Sequence, residues 1–173
     1  MGFCEYYRAA DREMAIIQPE HGRVVADPAK YGVPEFDAME TKWLDPSITL
    51  NELAALIANV DLSTELVATV RLYPSSYPDP FPQTDEEWDA LPEDSPYLSS
   101  VSIEELSVNV RDLLAGADDA HLPRVVERWA KSEQFSHFSS ADLEYLMPVA
   151  KDLIGLSRRA KEHGQQLYCW SCA

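Results

Sequence analysis

Aromatic side chains crowd the start of the chain, apolar and polar positions alternate near its end, and helical spacing runs through much of what lies between. Residues 3–9 are rich in aromatic side chains and read as a strand, after which Asp11 suits the cap of a short helix carrying Met14, Ile16 and Ile17. Residues 18–40 contain Pro19, Gly22, Pro28, Gly32 and Pro34 with little periodicity, which predicts an irregular connection. Thr49 and Glu52 are spaced as a capping box for a helix whose Leu53, Leu56, Ile57 and Val60 form one apolar stripe. Residues 66–73 fit either a strand, by their Val, Thr and Tyr content, or a short helix capped by Ser63.

Residues 74–96 hold six prolines, seven acids and no base, a composition that predicts an extended surface loop. Within it, Thr84 and Glu87 can cap one helical turn around Trp88. Residues 97–102 predict a strand, and Ser102 and Glu105 then read as a second capping box, for a helix with Leu106, Val110 and Leu113 inward. Further helices are expected over 122–135, with Pro123 in its first turn, and from Ser139 or Ser140 to His163, kinked or divided at Pro148. Gly164 is placed as a left-handed terminator, and residues 166–172 alternate as a closing strand. Two short terminal strands belong in one small sheet, so the expected fold is a single α+β domain over 1–173, its sheet covered by about five helices.

Composition narrows the class. A chain of 173 residues with 46% hydrophobic side chains can form one core and bury about 70% of its unfolded surface. No stretch approaches the ~20 apolar residues of a membrane span, and Glu5, Asp11 and Glu13 occupy the region a secretory signal would need apolar. Tyr6 in place of Ser or Thr argues against myristoylation after Met1-Gly2, and Cys172 lies one residue too late for a prenylation box. The expectation is a cytoplasmic protein with no membrane attachment. Cys4, Cys169 and Cys172 do not have the spacing of a disulfide framework, so reduced thiols are expected. The net charge is −16, and residues 31–110 carry 16 acids against Lys42 and Arg71 alone, contributing −14 of it.

The motifs that carry chemistry are sparse. Cys169 and Cys172 have redox or metal spacing, but the chain offers no helix after them to activate a thiol, and a zinc site would have to recruit Cys4 and His163. A separation of three also points the two side chains to opposite faces of a regular strand. His21, His121, His137 and His163 are scattered; Gly155-Leu156-Ser157 lacks the second glycine of a nucleophile elbow. Asp118, Asp119 and His121 precede a helix, where Asp is expected as a cap. The adjacent pairs Glu86-Glu87 and Glu104-Glu105 point in different directions on a helix, and the six glycines form no phosphate loop. No cofactor and no metal are expected.

The opening Met1-Gly2-Phe3 with Tyr6, Tyr7 and Arg8, the Tyr97-Leu98 start before an acidic stretch, and the ending Asp142-Leu143-Glu144-Tyr145-Leu146, long helix, Gly164 and apolar strand resemble the YfbM-like family of uncharacterised bacterial proteins. The resemblance covers both ends and part of the second half, and implies an α+β domain of the bacterial cytosol. It brings no activity or functional residues.

What remains is the acidic segment with aromatics threaded through it, Trp43, Tyr73, Tyr77, Phe81, Trp88 and Tyr97. Its candidate partner-binding residues are Asp79, Phe81, Asp85, Glu86, Glu87, Trp88, Asp89, Glu93 and Asp94. Such a field steers a basic protein, disfavours direct contact with nucleic acid, and lets aromatics act as anchors. The leading expectation is a non-enzymatic module of the immunity, antitoxin or inhibitor kind. The alternative is a small-molecule hydrolase or transferase whose acids and His137 or Cys169 gather in a cleft; a third reading is self-association through the terminal strands as sheet edges.

Overall fold

The computed structural model describes residues 3–172; Met1 and Gly2, which enter the lipidation and resemblance arguments above, and Ala173 lie outside the described residues. The chain runs through β1 (Phe3–Ala9), α1 (Arg12–Ala15), α2 (Pro28–Tyr31), β2 (Ala38–Thr41), α3 (Thr49–Ala58), β3 (Thr69–Tyr73), α4 (Asp85–Asp89), β4 (Val101–Leu106), α5 (Val108–Ala115), α6 (Leu122–Trp129), α7 (Ser140–Glu144), α8 (Leu146–Glu162) and β5 (Gln166–Cys172). The strands form one antiparallel sheet in the order β2-β1-β5-β4-β3. This is an α+β fold with both terminal strands in its sheet.

Alternation along the strands decides which layer each side chain enters. Cys4 and Tyr6 of β1, Leu106 of β4 and Leu167 and Cys169 of β5 join Leu50, Leu53 and Leu56 of α3, Leu114 of α5, Trp129 of α6 and Leu153 of α8 in the main core. Full burial of a side chain of this size contributes roughly 1.5–3 kcal/mol. The opposite face carries Tyr7, Ala9, Ile103 and Tyr168, covered by Ala15 and Phe36 from the long connection between β1 and β2. Buried hydroxyls and ring N–H groups find carbonyls: Tyr6 donates to Leu44 O at 2.7 Å, Tyr7 to Ala15 O at 2.7 Å and Trp129 Nε1 to Thr49 O at 3.2 Å. Asp37 ties the connection to the other layer, accepting from Arg8 Nε at 2.7 Å and from Arg159 Nε at 2.7 Å.

Several local expectations are corrected. The connection over 18–40 is not wholly irregular, since Ala38–Thr41 pairs with β1 as an edge strand. Residues 66–73 resolve toward the strand, as β3. Thr49 and Glu52 are not a capping box: Ile48 stands at the N-cap of α3, Asp45 holds the turn before it with its Oδ1 accepting from Ile48 N at 2.8 Å, and the Thr49 hydroxyl donates to Trp43 O at 3.0 Å. Ser102 and Glu105 lie inside β4 rather than at a helix start, and Leu106 reaches the core from that strand. The helix expected over 122–135 ends at Trp129, and a separate 3-10 turn spans Glu133–Phe135. The short helix α1 carries Met14 but ends at Ala15, leaving Ile16 at its C-cap and Ile17 beyond it. The helix expected from Ser139 is divided at Tyr145, leaving Pro148 in the first turn of α8, where its missing N–H costs no helical bond. The terminal strands are not sheet edges either: β1 lies between β2 and β5, and β5 between β1 and β4.

Candidate functional site

The acidic loop leaves β3 after a register irregularity between Arg71 and Tyr73 and returns to the sheet at β4. Its middle is held by the one helical turn the sequence predicts. The Thr84 hydroxyl accepts from Glu87 N at 3.3 Å, and the Glu87 carboxylate accepts from Gln83 N at 2.6 Å. Asp85, Glu86 and Glu87 occupy the first turn of α4, where the exposed N–H groups favour negative charge. Pro78 and Pro82 are buried, so the loop folds back on itself instead of trailing into solvent.

A groove of 560 Å³ results, with Asp79, Phe81, Gln83, Glu87, Leu91 and Tyr97 among its lining. Phe81 meets the half-buried Trp88 edge-on at 5.5 Å between ring centroids and Tyr77 at 6.1 Å. Phe81 remains 49% exposed and Tyr77 61%. The predicted residues therefore divide. Asp79, Phe81 and Glu87 line the groove and Trp88 supports it, whereas Asp85, Glu86 and Asp89 project from α4, and Glu93 and Asp94 from the turn closed by Ser95 N to Pro92 O at 2.8 Å.

Arg71 sits at the base of the loop and donates to the Tyr77 hydroxyl at 2.8 Å with its guanidinium 5.0 Å from that ring's centroid. Tyr77 and Tyr97 belong to the site although the sequence marks them only as aromatics within an acidic stretch. The other threaded aromatics lie elsewhere: Tyr73 packs on the second core and Trp43 on the first.

Some carboxylates elsewhere on the surface are paired. Asp37 is paired with Arg8 and Arg159, Glu105 with Arg12 and Asp119 with Arg158. Hydrogen bonds from Arg159, above all, hold the Asp37 carboxyl below its ordinary range, and those from Arg12 do the same for Glu105. Among the described residues, none of Asp79, Asp85, Glu86, Glu87, Asp89, Glu93 and Asp94 has a cationic side chain within ion-pair distance.

No protein-family model, curated protein or solved structure matches this chain.

A second hollow, of 220 Å³, opens beside the main core. Cys4, Trp43, Asp45, Phe135, His137 and Phe138 line it, brought together from three distant parts of the sequence. Asp45 is committed to the turn before α3. Among the described residues no three His, Cys, Asp or Glu side chains are grouped as metal ligands. Cys169 and Cys172 lie on opposite faces of β5: Cys169 stands opposite Tyr6 and enters the main core, while Cys172 stands opposite Phe3 and its Sγ lies 3.2 Å from Ser100 Oγ. A joint site built on that pair is excluded by the regular strand. Among the described residues no helix is long and apolar enough to cross a membrane.

Proposed function

We propose that this protein is a binding module that captures a basic protein surface with the loop over 74–96, acting by occupancy as an immunity protein, antitoxin or other inhibitor does. The observation that carries the reading is the coincidence, in one loop, of carboxylates without cationic partners and exposed aromatics bordering a groove. Unpaired carboxylates keep their full attraction for an incoming cation, because no internal pair must first be broken. Phe81 and Tyr77 supply apolar area at the place where the charges steer a partner.

The test uses immobilised wild-type protein, an Asp79→Asn/Asp85→Asn/Glu86→Gln/Asp89→Asn variant that spares the structural Glu87, and Phe81→Ala. Wild type should retain basic proteins that elute with salt. The charge variant should slow association by about tenfold or more at low salt, and Phe81→Ala should speed release. Retention of the same proteins by all three, with equal rates, overturns the reading.

The hydrolase or transferase alternative, with His137 or Cys169 in a cleft, draws on the hollow that His137 lines together with Cys4; Cys169 is not among its lining. It is the weaker reading, since Asp45, the carboxylate there, is already engaged by Ser47 and Ile48 in the turn before α3.

A further inference from the structure

Cys4 and Cys169 come from opposite ends of the chain and meet on the helix-covered face of the sheet. In the β1–β5 register Cys4 stands opposite Ser171 and Tyr6 opposite Cys169. The two thiols are thus diagonal neighbours on one face, a relation that places the Cα atoms about 7–8 Å apart, so a bridge between them draws the two strands slightly together. Both belong to the main core, at 4% and 1% exposure. They differ in access. Cys4 forms part of the wall of the 220 Å³ hollow, among Trp43, Phe135 and Phe138. Cys169 lies behind it, its Sγ 3.7 Å from the Trp170 carbonyl oxygen.

We propose that Cys4 is an oxidisable thiol reached by a small hydroperoxide through the aromatic hollow, and that Cys169 resolves it to a Cys4–Cys169 disulfide. In the first step the Cys4 thiolate attacks a peroxide oxygen; the S–O bond forms, the O–O bond breaks, and the departing hydroxide takes a proton from solvent as water. Cys4 is then a sulfenic acid. In the second step the Cys169 sulfur attacks the Cys4 sulfur; the S–S bond forms, the S–O bond breaks, and the hydroxide leaves as water with the Cys169 proton. One hydroperoxide is reduced and two thiols are oxidised.

The division of roles follows from the surroundings. Interaction with the Cys169 thiol draws Cys4 below the ordinary thiol range, outweighing burial and the charges of Asp45 and Glu104. The same contact, followed by burial, pushes Cys169 well up. Of the two sulfurs, the one that faces the hollow is the more readily ionised, and thiolate character together with access governs where oxidation begins. Cys172, on the other face, is no party to the pair.

Mass spectrometry after hydrogen peroxide treatment tests this in a Cys172→Ser protein, with the remaining thiols trapped by N-ethylmaleimide under denaturing conditions. The expected result is loss of both maleimide adducts, a bridged peptide joining Cys4 and Cys169, and recovery of both adducts after dithiothreitol. In a Cys169→Ser/Cys172→Ser protein, dimedone should label Cys4. Should that variant fail to fold by circular dichroism, the bridged peptide in the first protein decides. Oxidation of Cys172 ahead of Cys4 in the wild type, or oxidised Cys4 with no bridge to Cys169, overturns the proposal.

Discussion

Arg23 is 2% exposed beneath the connection between β1 and β2, its guanidinium 4.4 Å from the Tyr7 ring centroid. One amino group donates to Ile17 O at 2.9 Å, and the other lies 3.5 Å from the Glu5 carboxylate. A charge so placed is costly to orphan and much less costly to remove together with its partner. Glu5→Leu alone should therefore lose about 3–5 kcal/mol, whereas Glu5→Leu with Arg23→Met should recover most of it, as urea unfolding of the two variants would reveal. Tyr6→Phe presents a smaller case of the same kind. It strips the buried Leu44 carbonyl of its donor, and the midpoint of denaturant unfolding should report a loss of about 1–3 kcal/mol.

At the level of elements, helix ends and cross-links are where sequence and structure can be compared most sharply. Gly164 ends α8 at φ +64°, and a Cβ there would meet nothing within 4 Å. Gly164→Ala should thus cost only backbone strain, about 1–2 kcal/mol, measurable as a lower thermal midpoint with the fold intact. Asp37 fastens the connection to α8 and β1. Its folded pKa is depressed below the ordinary 3.8, by Arg159 first. The stabilisation is consequently present above pH 3.8 and lost as the pH falls through the lower folded value. Asp37→Asn should flatten that acid limb of a stability-against-pH curve while lowering the plateau at neutral pH. Gly164, the Thr84 cap of α4 and both terminal strands were legible because each rests on local chemistry. The Ser102 and Glu105 pattern misled for the opposite reason: its capping spacing is local, but pairing of Val101–Leu106 with β3 and β5 is not, and the sheet prevailed. β2 was hidden because four residues among prolines carry too short an alternation. The acidic loop could be read as a candidate from composition. The hollow around Cys4 could not, since only the folded sheet brings residues 4, 45 and 137 together.

For the molecule as a whole, a net charge of −16 concentrated in one half sets up self-repulsion that the paired carboxylates elsewhere do not relieve. Repulsion among exposed charges is screened by salt over about 8–10 Å at 0.1–0.15 M ionic strength. Raising sodium chloride from a few millimolar to that range should therefore increase the thermal midpoint of the wild type, and do so less for the Asp79→Asn/Asp85→Asn/Glu86→Gln/Asp89→Asn variant. Calorimetry at several salt concentrations separates the two curves. Equal slopes would mean that the loop acids do not repel one another enough to matter.

The placement of β5 between β1 and β4 governs how the chain can assemble. Until β5 is in place the sheet exists only as two halves, β1 with β2 and β3 with β4, with no strand pairing between them. Each half then displays an open row of backbone donors and acceptors where the central strand will later insert. The sheet therefore closes only when β5 inserts, and its pairs with β1 are among the most distant in sequence, which slows folding. The same geometry sets Phe3 beside Cys172, so the strand that closes the sheet is held along its whole length by the strand that opens it.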